Sequence, residues 1–134
     1  MSVAFADSSF YVAFLIARDA NHDSAMRLAE SWHGSVVTTE YVLTEVANHL
    51  AGRPHHRERF GQFLSGLLAD SNTRIVESSH DLWMRGTVRY LQRADKEWSL
   101  TDCVSFLVME DEEVPAALTM DHHFRQAGFT ILEP

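Results

Sequence analysis

One cysteine, one lysine and three prolines are all that the 134 residues contain of those types. A lone Cys103 has no partner for an internal disulfide, so nothing in the chain asks for an oxidising compartment. It lies within an apolar helical pattern and reads as buried packing. No run approaches the roughly 18 apolar residues that a membrane span needs. The opening Met1-Ser2-Val3-Ala4-Phe5-Ala6-Asp7 has no basic stretch and meets an acid at once, which is not the form of a secretory leader. A cytoplasmic protein is expected. Repeats, low-complexity tracts and linkers are also missing. Residues 1–134 are therefore expected to form one domain, long enough to bury a core without disulfide or metal staples.

Positive charge is scarce as well. The formal net charge is −8, which argues against indiscriminate polyanion binding over the whole surface but leaves room for a local basic patch. The cations are ten arginines and Lys96. Arginine makes bidentate contacts with phosphates and carboxylates, although a GC-rich genome produces the same bias.

What is present is an alternation of short β-like runs with amphipathic helical stretches. Strands are expected at 3–6, 35–38, 73–76, 116–119 and 129–132. Helices are expected at 8–18, 22–33, 40–51, 55–70, 79–93, 101–112 and 122–127, with Gly52 and Pro54 as the stop after the third. This order implies an α/β architecture, a three-layer α/β/α arrangement around a central, mainly parallel sheet of about five strands. Such sheets bind ligands outside the carboxyl ends of their strands.

Four acids fall at suitable places. Asp7 ends the run Val3-Ala4-Phe5-Ala6, and Asp121 follows Ala116-Ala117-Leu118-Thr119-Met120. Glu45 lies one turn into the helix after the second strand, and Asp102 opens the helix that follows Trp98-Ser99. Carboxylates are hard oxygen donors, so a cluster without thiolates favours Mg²⁺ or Mn²⁺ over zinc or copper. Such an ion polarises a phosphoryl oxygen and activates water. Each acid also has a plainer reading. Asp7 and Asp121 suit helix N-caps, Ser99-x-x-Asp102 has the form of a capping box, and Glu45 could be a solvated surface residue.

The motifs Phe5-Ala6-Asp7-Ser8-Ser9-Phe10, Thr38-Thr39-Glu40-Tyr41-Val42-Leu43-Thr44-Glu45-Val46, Leu100-Thr101-Asp102-Cys103, Leu118-Thr119-Met120-Asp121-His122-His123-Phe124 and Gly128-Phe129-Thr130-Ile131-Leu132 run in order along nearly the whole chain. In that order and spacing the sequence resembles the PIN-domain ribonucleases, and among them the single-domain VapC toxins of type II toxin–antitoxin systems. The resemblance implies an Mg²⁺- or Mn²⁺-dependent endoribonuclease that hydrolyses RNA phosphodiester bonds. Asp7, Glu45, Asp102 and Asp121 would be its metal-binding and catalytic residues, with the hydroxyls of Ser9 and Thr119 supporting Asp7 and Asp121. It also implies an RNA substrate, a homodimer and a cognate antitoxin protein. His123 and Asp95 stand near positions where some members carry further acids, which leaves one or two metal ions open. The alternatives are a housekeeping PIN nuclease and a catalytically silent PIN-like domain that binds RNA or a partner. A haloacid-dehalogenase phosphatase would need a second acid where Ser9 stands. A receiver domain would need a late lysine.

Other residues carry weaker signals. Arg85, Arg89 and Arg93 recur every four positions and form a stripe suited to RNA phosphates, or to pairing with Asp81 and nearby acids. Arg53, Arg57 and Arg59 form a second small patch. His55-His56 and His122-His123 lack zinc-finger spacing; His122 and His123, next to Asp121, could touch substrate or face water, and the surface is expected. Glu110-Asp111-Glu112-Glu113 is expected as a solvated turn, and Trp32, Trp83 and Trp98 as core or interface packing.

Overall fold

The computed structural model describes residues 2–134; Met1 lies outside them. Five strands and seven helices alternate: β1 (Val3–Ala6), α1 (Ser8–Leu15), α2 (His22–Ser31), β2 (Ser35–Thr39), α3 (Glu40–Leu50), α4 (Pro54–Ala69), β3 (Thr73–Val76), α5 (His80–Gln92), α6 (Leu100–Asp111), β4 (Ala116–Leu118), α7 (His123–Gln126) and β5 (Thr130–Ile131). The sheet is parallel throughout, in the order β3-β2-β1-β4-β5. The chain first winds outward from β1 through β2 to β3. It then crosses to the other side of β1 to lay down β4 and β5. That reversal lies between β1 and β4, where a doubly wound sheet opens its ligand crevice.

Buried strands in parallel sheets are apolar on both faces, and β1 obeys this with Ala4, Phe5 and Ala6 fully buried. Beneath β1 and β4 the aromatic rings interlock. Phe124 stacks on Phe5 at 6.2 Å and meets Phe106 edge-on at 5.0 Å, and Trp98 closes on Phe106 at 5.0 Å. Helix α6 is buried from Asp102 through Met109. Its neighbour α5 approaches closely because Gly86 has no side chain: a Cβ there would stand 2.5 Å from Val104 Cγ2.

Several boundaries differ from the sequence expectation. Helix α1 stops at Leu15 rather than 18, because Ile16 turns to an extended conformation while its N–H still bonds Val12. Pro54 starts α4 at its first position, where the missing N–H has no intrahelical partner to lose. β2 runs one residue further, to Thr39, whose side chain caps α3 at Val42 N. The tryptophans divide. Trp98 is buried and Trp32 half-buried, but Trp83 is exposed on α5 together with Met84, Val88, Tyr90 and Leu91. Three of the four acids expected as a solvated turn are ion-paired. Glu110 binds Arg89, Asp111 binds Arg85, and Glu112 binds Arg74. No helix of the described residues is long and apolar enough to cross a membrane.

Candidate active site

The carboxyl ends of β1 and β4 open into a cleft of about 520 Å³ whose walls carry Asp7, Glu45, Asp102 and Asp121 together. Asp7 is the first residue beyond β1, and its N–H still bonds Leu118 O at 3.0 Å, prolonging the ladder to β4. It serves as N-cap of α1 and is 2% exposed. One of its oxygens, Oδ2, is heavily engaged. It accepts from Ser9 Oγ at 2.9 Å, from Thr119 Oγ1 at 3.0 Å and from Ser9 N at 3.4 Å. The other, Oδ1, keeps only a 3.5 Å contact from Ser8 Oγ. Ser9 and Thr119 are fixed in turn, because Ser9 Oγ accepts from Met120 N and Thr119 Oγ1 accepts from Asp121 N. Thus Thr119 reaches Asp121 through its backbone and Asp7 through its side chain.

Asp102 repeats the pattern. The Ser99–Asp102 capping box forms, with Ser99 N donating to Asp102 Oδ2 at 3.0 Å and Asp102 N to Ser99 Oγ at 3.0 Å. The same Oδ2 takes His123 Nδ1 at 3.0 Å. Oδ1 has no protein hydrogen bond among the described residues. On α3, Glu45 is half-buried and receives Ser8 Oγ at Oε1, which leaves Oε2 open. Asp121 differs, since both of its oxygens face His123. Oδ1 accepts from the His123 amide at 2.9 Å, and Oδ2 lies 3.1 Å from Nδ1. Because Nδ1 faces two groups that only accept, it carries the ring proton.

Asp7, Glu45 and Asp102 therefore each hold one oxygen by protein donors and leave the other with no more than a 3.5 Å contact, while burial penalises the charge of Asp7 and Asp102. Burial raises the Asp7 carboxyl from 3.8 to about 6; the charge of Asp102 adds to this, and hydrogen bonds from Ser9, Ser8 and Thr119 oppose it. Burial likewise raises Asp102, opposed first by the Ser99 amide, with the charge of Asp121 raising it further. A divalent cation would relieve both effects. The all-oxygen donor set with room for water matches what Mg²⁺ and Mn²⁺ take. At the rim, Asp121, His122 and His123 bring ligand-type atoms within 4.8 Å of one another, which adds nitrogen donors on the same side.

Two participants were not anticipated from the sequence. Ser8 joins Glu45 to the Asp7 corner, which depends on how α1 and α3 pack. His123 was expected at the surface, yet its side chain is only 16% exposed because it wedges between Asp102 and Asp121. His122 does face solvent. The Arg85, Arg89 and Arg93 stripe lies outside the cleft walls. Each of its guanidinium groups is paired, Arg85 with Asp111 at 2.8 Å, Arg89 with Glu110 at 2.7 Å and Arg93 with Asp95 at 3.0 Å.

No family model matches the chain. Individual proteins do. The chain is 30% identical over 130 residues to the 23S rRNA-specific endonuclease VapC20 of Mycobacterium tuberculosis, covering 97% of this chain and 98% of that protein, in both strain CDC 1551 and strain H37Rv. The crystal structure of M. tuberculosis VapC20, described as a sarcin–ricin loop cleaving toxin, superposes with a TM-score of 0.88 at 31% identity, over 99% of this chain and all of that one. The fold is also that of VapBC2 from Rickettsia felis bound to a DNA fragment from its promoter, with a TM-score of 0.66 at 14% identity over 97% of both chains. Identity of this extent along two chains of matching length, with one fold and an acidic crevice at its switch point, means that the chain belongs to the VapC family of PIN-domain endoribonucleases.

Proposed function

We propose that this chain is the toxin of a toxin–antitoxin pair and cuts RNA in the acidic cleft, with Asp7, Glu45, Asp102 and Asp121 as its catalytic and metal-binding residues. One observation carries the reading: Asp7, Glu45 and Asp102 line a single cleft, and each has one oxygen anchored by protein donors and a second with no more than a 3.5 Å contact. Isolated helix caps would have no reason to converge in this way. When bound, Mg²⁺ or Mn²⁺ supplies a Lewis acid for the phosphoryl oxygen and lowers the pKa of water. The chain's own part is orientation. Ser9 and Thr119 fix the Asp7 carboxylate, Ser8 fixes Glu45, and the capping box with His123 fixes Asp102. The VapC20 relative is named for 23S rRNA, and we assign the same substrate class, a structured ribosomal RNA loop, to this chain.

The test is cleavage of ribosomes and total RNA by the purified protein in Mg²⁺ or Mn²⁺, with an EDTA control and mapping of the cut. Asp7→Asn and Asp102→Asn should each lower the rate by at least roughly 100-fold with the fold intact by circular dichroism. Full activity in Asp7→Asn overturns the assignment. Growth arrest on expression, relieved by a small neighbouring gene, separates a toxin from a housekeeping nuclease or a silent domain.

We assign two apolar surfaces to partners. A hollow of about 560 Å³ between α1, α2 and α4, walled by Phe10, Phe14, Trp32, Phe63 and Leu67, is concave and suits an inserted antitoxin segment. The exposed stripe on α5, Trp83, Met84, Val88 and Leu91, is convex. Its flanking arginines are already neutralised by this chain's own acids. An identical face can therefore meet it about a two-fold axis without unpaired like charges, and we read it as the homodimer contact. An RNA substrate and a single buried thiol fit a cytoplasmic setting.

A further inference from the structure

The acidic cleft leaves a physical problem, since a chain of net charge −8 must hold a polyanion beside a cluster of carboxylates. The arginine stripe of α5 does not resolve it, because its charges are spent on Asp111, Glu110 and Asp95. Arg74 is engaged with Glu112, and Lys96 lies by Asp95. Among the described residues six cations remain without a carboxylate partner: Arg18, Arg27, Arg53, Arg57, Arg59 and Arg125. They are not scattered evenly. Arg18, Arg53 and Arg59 line one hollow of about 550 Å³ with His49, His55 and His56, and no acid is among its walls.

His49 belongs to both cavities, standing in the wall of the acidic cleft and in that of the basic hollow. The two sites therefore adjoin at His49 on α3, with Arg18 and Asp19 after α1 lining one each. Local geometry adds to the positive field. Helix α4 starts at Pro54, its N-cap Arg53 makes no side-chain cap, and its first-turn residues His55 and His56 line the hollow.

We propose that this hollow, built from Arg18, Arg53 and Arg59 with His49, His55 and His56, binds the RNA backbone phosphates next to the one that is cut. The inference rests on the RNA-cutting reading of the adjoining cleft and names the surface that carries the substrate to it. A strand with its scissile phosphodiester among the carboxylates must run out over a neighbouring surface. The hollow is the one the cleft joins through His49 where cations stand without acids. Its contacts address phosphates, so it supplies affinity and register, and base discrimination lies elsewhere.

The test measures binding of a fluorescently labelled RNA stem-loop to metal-free protein, so that nothing is cut, at salt concentrations from about 50 to 200 mM. Arg53→Gln with Arg59→Gln should weaken binding about tenfold or more and lower the slope of log affinity against log salt by about 1.5. Arg53→Lys with Arg59→Lys should keep the slope and most of the affinity, because charge is retained. Arg85→Gln with Arg89→Gln should leave both unchanged. Mn²⁺ binding to RNA-free protein, read by electron paramagnetic resonance, should be the same in the Arg53/Arg59 glutamine variant and the parent, separating substrate binding from metal binding. Unchanged RNA affinity and slope in the Arg53/Arg59 glutamine variant overturns the proposal. So does an equal loss in the Arg85/Arg89 variant, or loss of antitoxin binding with RNA binding intact. If the parent binds RNA through these arginines but cuts none with Mg²⁺ or Mn²⁺, the catalytic reading fails and the binding surface stands.

Discussion

At Asp7, two hydroxyls and an amide converge on Oδ2 while the whole carboxyl is shut away from water. The donors favour the anion, yet desolvation and Asp102 outweigh them and lift the carboxyl to about 6. The folded protein thus holds a proton that the unfolded chain has already released. The contribution of Asp7 to stability is unimpaired below about pH 4, falls as pH climbs from 3.8 towards about 6, and is flat above that, a loss of about 3 kcal/mol. Metal-free protein should show this as a drop in melting temperature over that window, larger in the wild type than in Asp7→Asn. At pH 7.5, Mg²⁺ should raise the melting temperature of the wild type and do so much less for Asp7→Asn. Equal pH profiles for the two proteins would show that burial is not what strains this carboxyl.

At the scale of elements, α6 explains much of the site. Its N-terminus carries Asp102, where the helix dipole favours an acid and the capping box fixes the side chain. Its C-terminus carries Glu110 and Asp111, where the dipole disfavours acids, and bidentate pairs from Arg89 and Arg85 on α5 compensate. Of the two roles the sequence offered this stripe, RNA phosphates or nearby acids, Arg85 and Arg89 take the second and bind α5 to α6. These exposed pairs contribute little singly; packing at Gly86 matters more. Gly86→Ala would thrust a methyl to 2.5 Å from Val104 Cγ2 and push α5 away from α6. We expect a destabilisation of about 1–3 kcal/mol by urea unfolding. A neutral or stabilising result would mean that α5 adjusts freely.

Over the whole molecule, charge and polarity are segregated. Carboxylates gather at the switch point, unpaired arginines at the adjoining hollow, and apolar side chains on α5 and between α1, α2 and α4. A negative net charge is compatible with an RNA substrate because the repulsive and attractive regions are separated on the surface. The dimer reading makes a prediction at this scale. Val88→Glu at the centre of the α5 stripe should convert a dimer to a monomer in light scattering at micromolar concentration, without lowering the melting temperature of the monomer. A wild-type monomer at high concentration would refute it.

The order of elements was legible in the sequence because burial on a parallel sheet imposes continuous apolar runs on strands and a 3.6-residue period on helices. Even the short β3 and β5 stood out between their flanking turns. Asp7 and Asp121 were legible as positions, since a residue that ends β1 or follows β4 must lie at the carboxyl edge of the sheet, and Glu45 and Asp102 as residues near the starts of the helices α3 and α6. Capping chemistry was legible too, because Ser99 and Asp102 meet within one turn. Partnerships across elements were not. Ser8 meets Glu45 only when α1 packs on α3, and His123 meets Asp102 only when α7 folds back over α6. The sequence left the three arginines of α5 open to RNA or to nearby acids, because the acids that take Arg85 and Arg89 lie 21 to 26 residues away. Likewise Arg18 and Arg53 come together across 35 residues of chain. Sequence by itself determined the periodicities and local hydrogen bonds, which act over a few residues. Tertiary structure alone decided which charges neutralise each other and which remain without a partner, because Coulomb interactions depend on distance in space and not on separation along the chain.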